Sequence, residues 1–331
     1  MEARSVEEIP ADEGWQYEPK WDGFRCVAFR DGEEIFLQSK AGQPLARYFP
    51  DVVAALLQLP AQSFVLDGEL VIPVDGALSF DELQLRLHPA ASRVQKLAAA
   101  HPAILIVFDL LANVNGKSLL DSPLRSRRAA LEKFAAANFD PKGPVRLSPA
   151  TTNLRTAKRW FEKVGGNLDG VIAKRADAAY ASGERTAMLK IKQIRSVDCV
   201  IGGFRYASGA RVIGSLLLGL YGSDGLLHHV GFTSAFKASE KRALTEKFEA
   251  LKKPPGFTGN APGGPSRWST ERSGEWEPVD PKLVVEITYD HFTGGRFRHG
   301  TKIIRWRPDK APKQCRMDQV EHREGKSLAL L

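Results

Sequence analysis

The chain has 331 residues, 43% of them hydrophobic and 26% charged, with a net charge of +8. That length is enough for one large domain or two ordinary ones around a real core. No apolar run reaches the roughly 20 residues of a membrane helix, and the acidic start MEARSVEEIP does not read as a signal peptide. The composition therefore offers no membrane-spanning helix. Cys26, Cys199 and Cys315 are far apart and odd in number, which suits reduced thiols in a cytoplasmic protein and offers no zinc spacing. The positive balance favours a polyanionic partner. It is concentrated near the end, in Arg296, Arg298, Lys302, Arg305, Arg307, Lys310, Lys313 and Arg316.

Taken in chain order, the first part alternates β-rich and helical patterns. Strands are expected at Arg25–Phe29, Glu34–Gln38, Phe64–Ile72, Ala103–Leu111, Gly170–Lys174 and Met188–Lys192. Helices are expected at Asp51–Leu59, Asp81–His88, Ser92–Ala100, Leu124–Ala137 and Asn153–Val164, the last with Asn153 as N-cap. The texture changes near Ile194–Val197. Beyond it, Val197–Phe204, Gly214–Tyr221, Leu227–Gly231 and Leu283–Tyr289 read as closely spaced strands, and Ser239–Lys252 as one helix. Such a set suits a small barrel of the OB type. Lys253–Pro278, rich in Pro, Gly and Ser, reads as a loop. The fold expected is α+β: a first domain of antiparallel sheets with helices over residues 1–194, then an OB barrel over 195–331.

Charges interrupt the apolar strands at regular places. In AMLKIKQI, Lys190 and Lys192 share one face; in FVLDGELVI, Asp67 and Glu69 do the same. IVFDLL sets Phe108 against Asp109, DGVIAKR puts Asp169 and Lys174 at the ends of a strand, and IIRWRPDK aligns Arg305 with Arg307. One such charge is ordinarily the wet face of an edge strand. Five strands with this feature form a pattern. Its cations suit phosphate and its carboxylates suit a metal or a ribose, so the cleft fits a nucleoside triphosphate with a divalent cation.

No G-x-x-x-x-G-K-S/T loop and no GxGxxG fingerprint occurs. Side chains must then hold the phosphates, and a lysine becomes a candidate nucleophile. EPKWDGFR supplies Lys20, with Pro19 stiffening the approach, Gly23 allowing a tight turn, and Asp22 holding Arg25 or orienting the loop. Lys190, Lys192 and Arg25, if they converge on Lys20, would lower its pKa and bind the phosphate it attacks. An exposed KWDG turn explains those few residues equally well when they are taken alone.

Their order along the chain decides between the two. KWDGFR (Lys20–Arg25), DGE (Asp67–Glu69), FDLL (Phe108–Leu111), DGVIAK (Asp169–Lys174), LKIK (Leu189–Lys192) and RPDK (Arg307–Lys310) follow one another over nearly the whole chain. The chain resembles the covalent nucleotidyltransferase superfamily of DNA ligases, RNA ligases and mRNA capping enzymes. It is most similar to the compact bacterial ATP-dependent DNA ligases of the ligase C type and to the ligase module of ligase D. SKAGQPLARYFP, GEWEPVDPKLVVEITYD and FRHGTKIIRWRPDK add to the likeness.

The resemblance implies a role for each position. Lys20 forms the phosphoamide bond to AMP. Arg25 and Glu69 contact ribose and fix the DNA end. Phe108 stacks on adenine, Glu18 lies by the adenine edge, and Lys174 belongs to the nucleotide site. Lys190 and Lys192 bind the α-phosphate. Arg307 and Lys310 engage pyrophosphate. Glu69 and Asp169 hold Mg²⁺ or Mn²⁺. Ser39, Lys40 and Arg47 lie in a segment that contacts ribose or the nicked strand. The fourth motif departs from the family in having Asp169 where glutamate is usual, so its metal contact is expected to run through water.

The implied partners are ATP, nicked duplex DNA and DNA-repair proteins, with the chain acting as a monomer that lacks appended domains. A hinge near Ile194–Val197 is expected, with the basic strip and the Arg267–Trp268 loop on DNA. An RNA ligase, a GTP-dependent capping enzyme and a non-enzymatic OB protein are the rival readings.

Overall fold

The computed structural model describes residues 1–163, 168–263, 275–298, 300–320 and 330–331. Two compact units divide between Gln193 and Ile194. Leu330 and Leu331 count with the first unit, packing beside Trp21, Val71, Ile104, Ile106 and Leu168, so a second domain running unbroken to residue 331 is not what forms.

The first unit begins with β1 (Arg4–Val6), β2 (Trp15–Trp21), β3 (Phe24–Asp31) and β4 (Glu34–Ser39). Helix α1 (Pro50–Leu57) leads to β5 (Ser63–Val71) and a short hairpin, β6 (Pro73–Val74) with β7 (Ala77–Leu78). Then come α2 (Phe80–Leu85), α3 (Ala91–Ala100), β8 (Ile104–Ala112), α4 (Leu124–Asn138) and β9 (Val145–Leu147). Helix α5 (Leu154–Lys163), β10 (Leu168–Arg175) and β11 (Met188–Lys192) complete it. Asn153 does cap α5: its Oδ1 accepts from Thr156 N at 3.1 Å.

These strands form two sheets, ordered β1-β11-β10-β2 and β4-β3-β5-β8-β9. Each buries an apolar face under helices. In the first sheet, Tyr17, Val171, Ala173, Leu189 and Ile191 pack under Leu154, Ala157, Trp160 and Phe161 of α5. Each fully buried side chain of this size contributes about 1.5–3 kcal/mol. The second sheet buries Cys26, Ala28, Leu37, Leu66, Leu70 and Leu105 against Val52 and Leu56 of α1 and Leu131 and Phe134 of α4.

Lys20 lies on a strand rather than in a turn. Pro19 is compatible with that because β2 is the outer strand of its sheet, where a missing N–H breaks no ladder. Only Asp22 and Gly23 separate β2 in one sheet from β3 in the other. Gly23 serves a close approach: a Cβ there would lie 2.2 Å from Leu70 O.

The second unit contains β12 (Arg195–Tyr206), β13 (Ile213–Tyr221), β14 (Leu227–Thr233), α6 (Lys241–Glu249), β15 (Glu277–Pro278), β16 (Val284–Tyr289), β17 (Phe292–Thr293), β18 (Arg296–Phe297) and β19 (Lys302–Trp306). The main ladder runs β14-β13-β12-β16-β19. Thr233 closes it by bridging to Thr301, with Thr233 Oγ1 donating to Thr301 O at 3.0 Å and Thr301 Oγ1 to Phe232 O at 3.1 Å. Five strands closed on themselves, with a helix after the third, make the expected OB barrel. Val200, Phe204, Leu216, Leu218, Val230, Val285 and Ile287 fill it. Arg267 and Trp268 fall outside the described residues. No helix among the described residues is long and apolar enough to cross a membrane.

Candidate active site

Three strands of the first sheet build one wall. Cross-strand partners run Gln16–Lys174–Met188, Glu18–Ile172–Lys190 and Lys20–Gly170–Lys192. Opposed residues, and residues two apart, project from the same face. This is the face turned away from α5. The charges that punctuate these strands therefore line up on the face opposite the apolar one that packs under α5. Gly170 separates Lys20 from Lys192, and a Cβ there would lie 1.8 Å from Ile191 O. Asp169 sits at the irregular start of β10. Its Oδ2 receives Lys20, and Lys192 Nζ lies 3.5 Å from the same atom.

The second sheet supplies the opposite wall. Arg25 of β3 is directly opposed to Glu69 of β5. Between β5 and β8 the register slips, so that Asp67 pairs with Asp109, Gly68 pairs with Val107, and Phe108 is the extra residue. That bulge re-aims the ring. It stands beneath the ammonium of Lys174, 4.4 Å from the ring centroid, and 5.8 Å from the Arg25 guanidinium carbon. Gly68 beside it admits no side chain, since a Cβ would meet Ile106 O at 2.7 Å.

One cavity between these walls is lined by Glu18, Lys20, Arg25, Lys40, Glu69, Phe108, Lys174 and Lys190 among others. Lys174 and Glu18 form a pair at 2.8 Å with side chains only 4% and 3% exposed, and Gln16 Nε2 donates to the other Glu18 oxygen at 2.8 Å. Burial first, then Lys192, Lys20 and Lys40, hold Lys190 below the usual lysine range. Burial pushes the Glu69 carboxyl up to about 8, against the pull of Lys20 and Arg25.

Seven of the nine nucleotide-binding positions expected from the sequence line this cavity or pair within it: Glu18, Lys20, Arg25, Glu69, Phe108, Lys174 and Lys190. Asp169 joins through its contact with Lys20, and Lys192 through its contact with Asp169. Arg47 does not line it. Its Nη2 donates to Pro89 O at 2.8 Å and its guanidinium lies 5.0 Å from the Tyr48 ring, because the short helical turn at Ala46–Tyr48 points it toward α3. Lys40 of the same segment does reach the cavity, while Ser39 Oγ closes a local turn with Gln43 N.

Arg25 is held by Asp67, not by Asp22: Nε–Oδ1 is 3.1 Å and Nη2–Oδ2 is 2.6 Å. Tyr180 Oη donates to Asp67 at 2.7 Å. Asp109 is taken in turn by Arg127, with two contacts of 2.9 Å. Asp67 was within reach of the sequence, two residues before Glu69 in one strand. Tyr180 and Arg127 carry no local signal.

In the second unit, Arg307 and Lys310 lie together on Asp198. The basic strip is less bare than its letters suggest: Arg305 pairs with Glu286 at 2.7 Å and Arg316 with Asp318 at 3.0 Å.

The donor set fits a hard divalent cation in kind. Glu69 and Asp169 offer carboxylate oxygens, and a carboxyl driven up to about 8 by burial is relieved of that burden by an adjoining cation. Asp169 already carries two lysines, so an ion there must share or displace them. The cavity also fits a nucleotide: an aromatic face, a buried polar edge at Glu18 and Lys174, and three lysines for phosphate.

Residues 2–192 match the family model described as the ATP dependent DNA ligase domain, and residues 209–310 match the ATP dependent DNA ligase C terminal region. DNA ligase C2 of Mycolicibacterium smegmatis is 44% identical over 97% of this chain and 93% of its own length. DNA ligase C of Mycobacterium tuberculosis is 42% identical over the same shares. A solved Lig E DNA ligase, 15% identical, aligns over 93% of this chain and all of its own with a TM-score of 0.58, which shows likeness of fold. With both units matched, and with the lysine, aromatic and carboxylate positions gathered in one cavity, the chain belongs to the family of ATP-dependent DNA ligases.

Proposed function

We propose that this chain seals nicks bearing a 3′-hydroxyl and a 5′-phosphate in duplex DNA through an adenylated lysine. The carrying observation is that Lys20 lies in one cavity with Phe108 and Lys190, an arrangement that joins a nucleophile, a stacking face and a phosphate donor. In the first step the neutral Lys20 amine attacks the α-phosphorus of ATP, a P–N bond forms, and pyrophosphate departs. Phe108 stacks on adenine, and Glu18 with Lys174 presents an acceptor and a donor to its edge. Lys190 and Lys192 face the α-phosphate and oppose the charge that grows there. Arg307 and Lys310 are assigned to the pyrophosphate. Mg²⁺ or Mn²⁺ held by Glu69 and Asp169 supplies charge neutralisation when bound.

AMP then passes to the 5′-phosphate, with Lys20 as leaving group. The 3′-hydroxyl attacks that activated phosphate and AMP is released. Each step is a displacement at phosphorus, so the side chains act chiefly by positioning and by charge.

The test is incubation with α-labelled ATP, GTP or NAD⁺ and metal, followed by denaturing electrophoresis. Label from ATP on wild type but not on Lys20→Ala is the expected result. A protein that takes no label, and whose intact mass shows no AMP already attached, would overturn the reading. Nicked duplexes with RNA in either strand separate DNA from RNA sealing.

A further inference from the structure

Arg307 and Lys310 converge on one carboxylate. Arg307 Nη1 donates to Asp198 Oδ1 at 3.0 Å and Oδ2 at 3.2 Å, and Lys310 Nζ lies 3.1 Å from Oδ2. Asp198 projects from β12, between the buried Val197 and Cys199, and its side chain is 10% exposed. Asp309 takes the other edge of the same guanidinium, with Nε–Oδ1 at 3.0 Å and Nη2–Oδ2 at 2.8 Å, but its side chain is 64% exposed.

The two carboxylates therefore differ in kind. An ion pair in water exchanges readily and holds weakly. A carboxylate rooted in a central strand cannot turn away, so its partners must come to it. Asp198 removes the freedom of two long side chains that would otherwise sample many rotamers. It also sets them side by side, while the two side chains stay 18% and 27% exposed. A pair of cations ordered on one acceptor is matched to an anion with two neighbouring phosphoryl groups.

We infer that Asp198 is a positioning residue for the first chemical step: it fixes Arg307 and Lys310 as a two-cation fork for pyrophosphate. The inference rests on the assignment of those two cations to pyrophosphate made above. A purely structural role would leave all steps of sealing equally affected. The fork role does not, because pyrophosphate is released only when Lys20 is adenylated and takes part in neither later step. The reverse reaction, in which pyrophosphate attacks lysyl-AMP and regenerates ATP, needs the same fork.

The experiment compares Asp198→Asn, Asp198→Glu, Arg307→Ala and wild type in three single-turnover measurements. These are label transfer from ATP to Lys20, discharge of the adenylated protein by inorganic pyrophosphate, and sealing of a nick that already carries 5′-AMP. For Asp198→Asn we expect the first two to slow by roughly 10- to 100-fold, with the third within twofold of wild type. Asp198→Glu, which keeps the charge, is expected to recover part of the loss. If Arg307→Ala slows adenylation and Asp198→Asn does not, the inference fails and the pyrophosphate assignment stands. If neither variant slows it, the assignment itself falls and takes the inference with it. Equal loss in all three measurements would make Asp198 a fold residue and overturn the proposal.

Discussion

Lys20 and Lys192 share a single acceptor atom, Asp169 Oδ2, across a glycine that has no side chain to separate them. The arrangement restrains the nucleophile while keeping a second cation beside it. Removing the carboxylate should leave Lys20 unguided among like charges. Asp169→Asn is expected to slow adenylation of Lys20 by about 100-fold, read by label transfer from ATP. Asp169→Glu, which keeps the carboxylate, should stay near the wild-type rate.

Phe108, the extra residue of a bulge in β8, offers its ring to the cavity. Base–aromatic stacking contributes roughly 1–3 kcal/mol per base. Phe108→Ala should therefore raise the half-saturating ATP concentration in the adenylation assay about 5- to 100-fold. Phe108→Trp should bind at least as well as wild type.

Gly170 admits no larger residue, since a Cβ would lie 1.8 Å from Ile191 O in the neighbouring strand. Gly170→Ala must push β10 from β11 beside Lys192, in the row that also holds Lys20. Adenylation is expected to fall by more than 10-fold. Thermal unfolding of the same variant should begin at a lower temperature than in wild type.

His229 in the second unit is 7% exposed, and burial, then Arg296 and Arg205, lower its pKa from 6.5 to about 3. Between those values the unfolded chain holds a proton that the folded chain refuses. Stability is thus lost as pH falls below about 6.5, at up to about 1.4 kcal/mol per pH unit. His229→Gln, which cannot take the proton, should show a shallower fall between pH 6.5 and 4 in denaturant titrations. An equal fall in both proteins would contradict the shift.

Much of this was readable in the letters. Strands with alternating or unbroken apolar runs, such as Met188–Lys192 and Ile213–Tyr221, were located to within a residue or so, because their faces are buried and burial leaves a pattern. Lys20 itself was harder to place. Pro19 and Gly23 both suggest a turn, and only the position of β2 at the sheet edge makes a strand of it. Gly23 does lie in the short link between β2 and β3, and its lack of a side chain is required by its proximity to Leu70 O. Arg47 belongs to a segment whose Lys40 reaches the cavity, while its own side chain turns to Pro89 O. The Arg25–Asp67–Tyr180 cluster joins residues 42 and 113 positions apart, and no local pattern encodes such distances.

The link between β2 and β3 consists of Asp22 and Gly23 alone. A chain of five steps from Lys20 to Arg25 spans at most about 17 Å, so the two sheets are leashed at the cavity by the nucleophile's own strand. Cutting the polypeptide elsewhere should matter far less. A circular permutant opened in the exposed Asp31–Glu34 turn keeps the leash and should still charge itself with AMP. One opened between Asp22 and Gly23 retains every side chain of the site and loses the constraint that holds its walls in register.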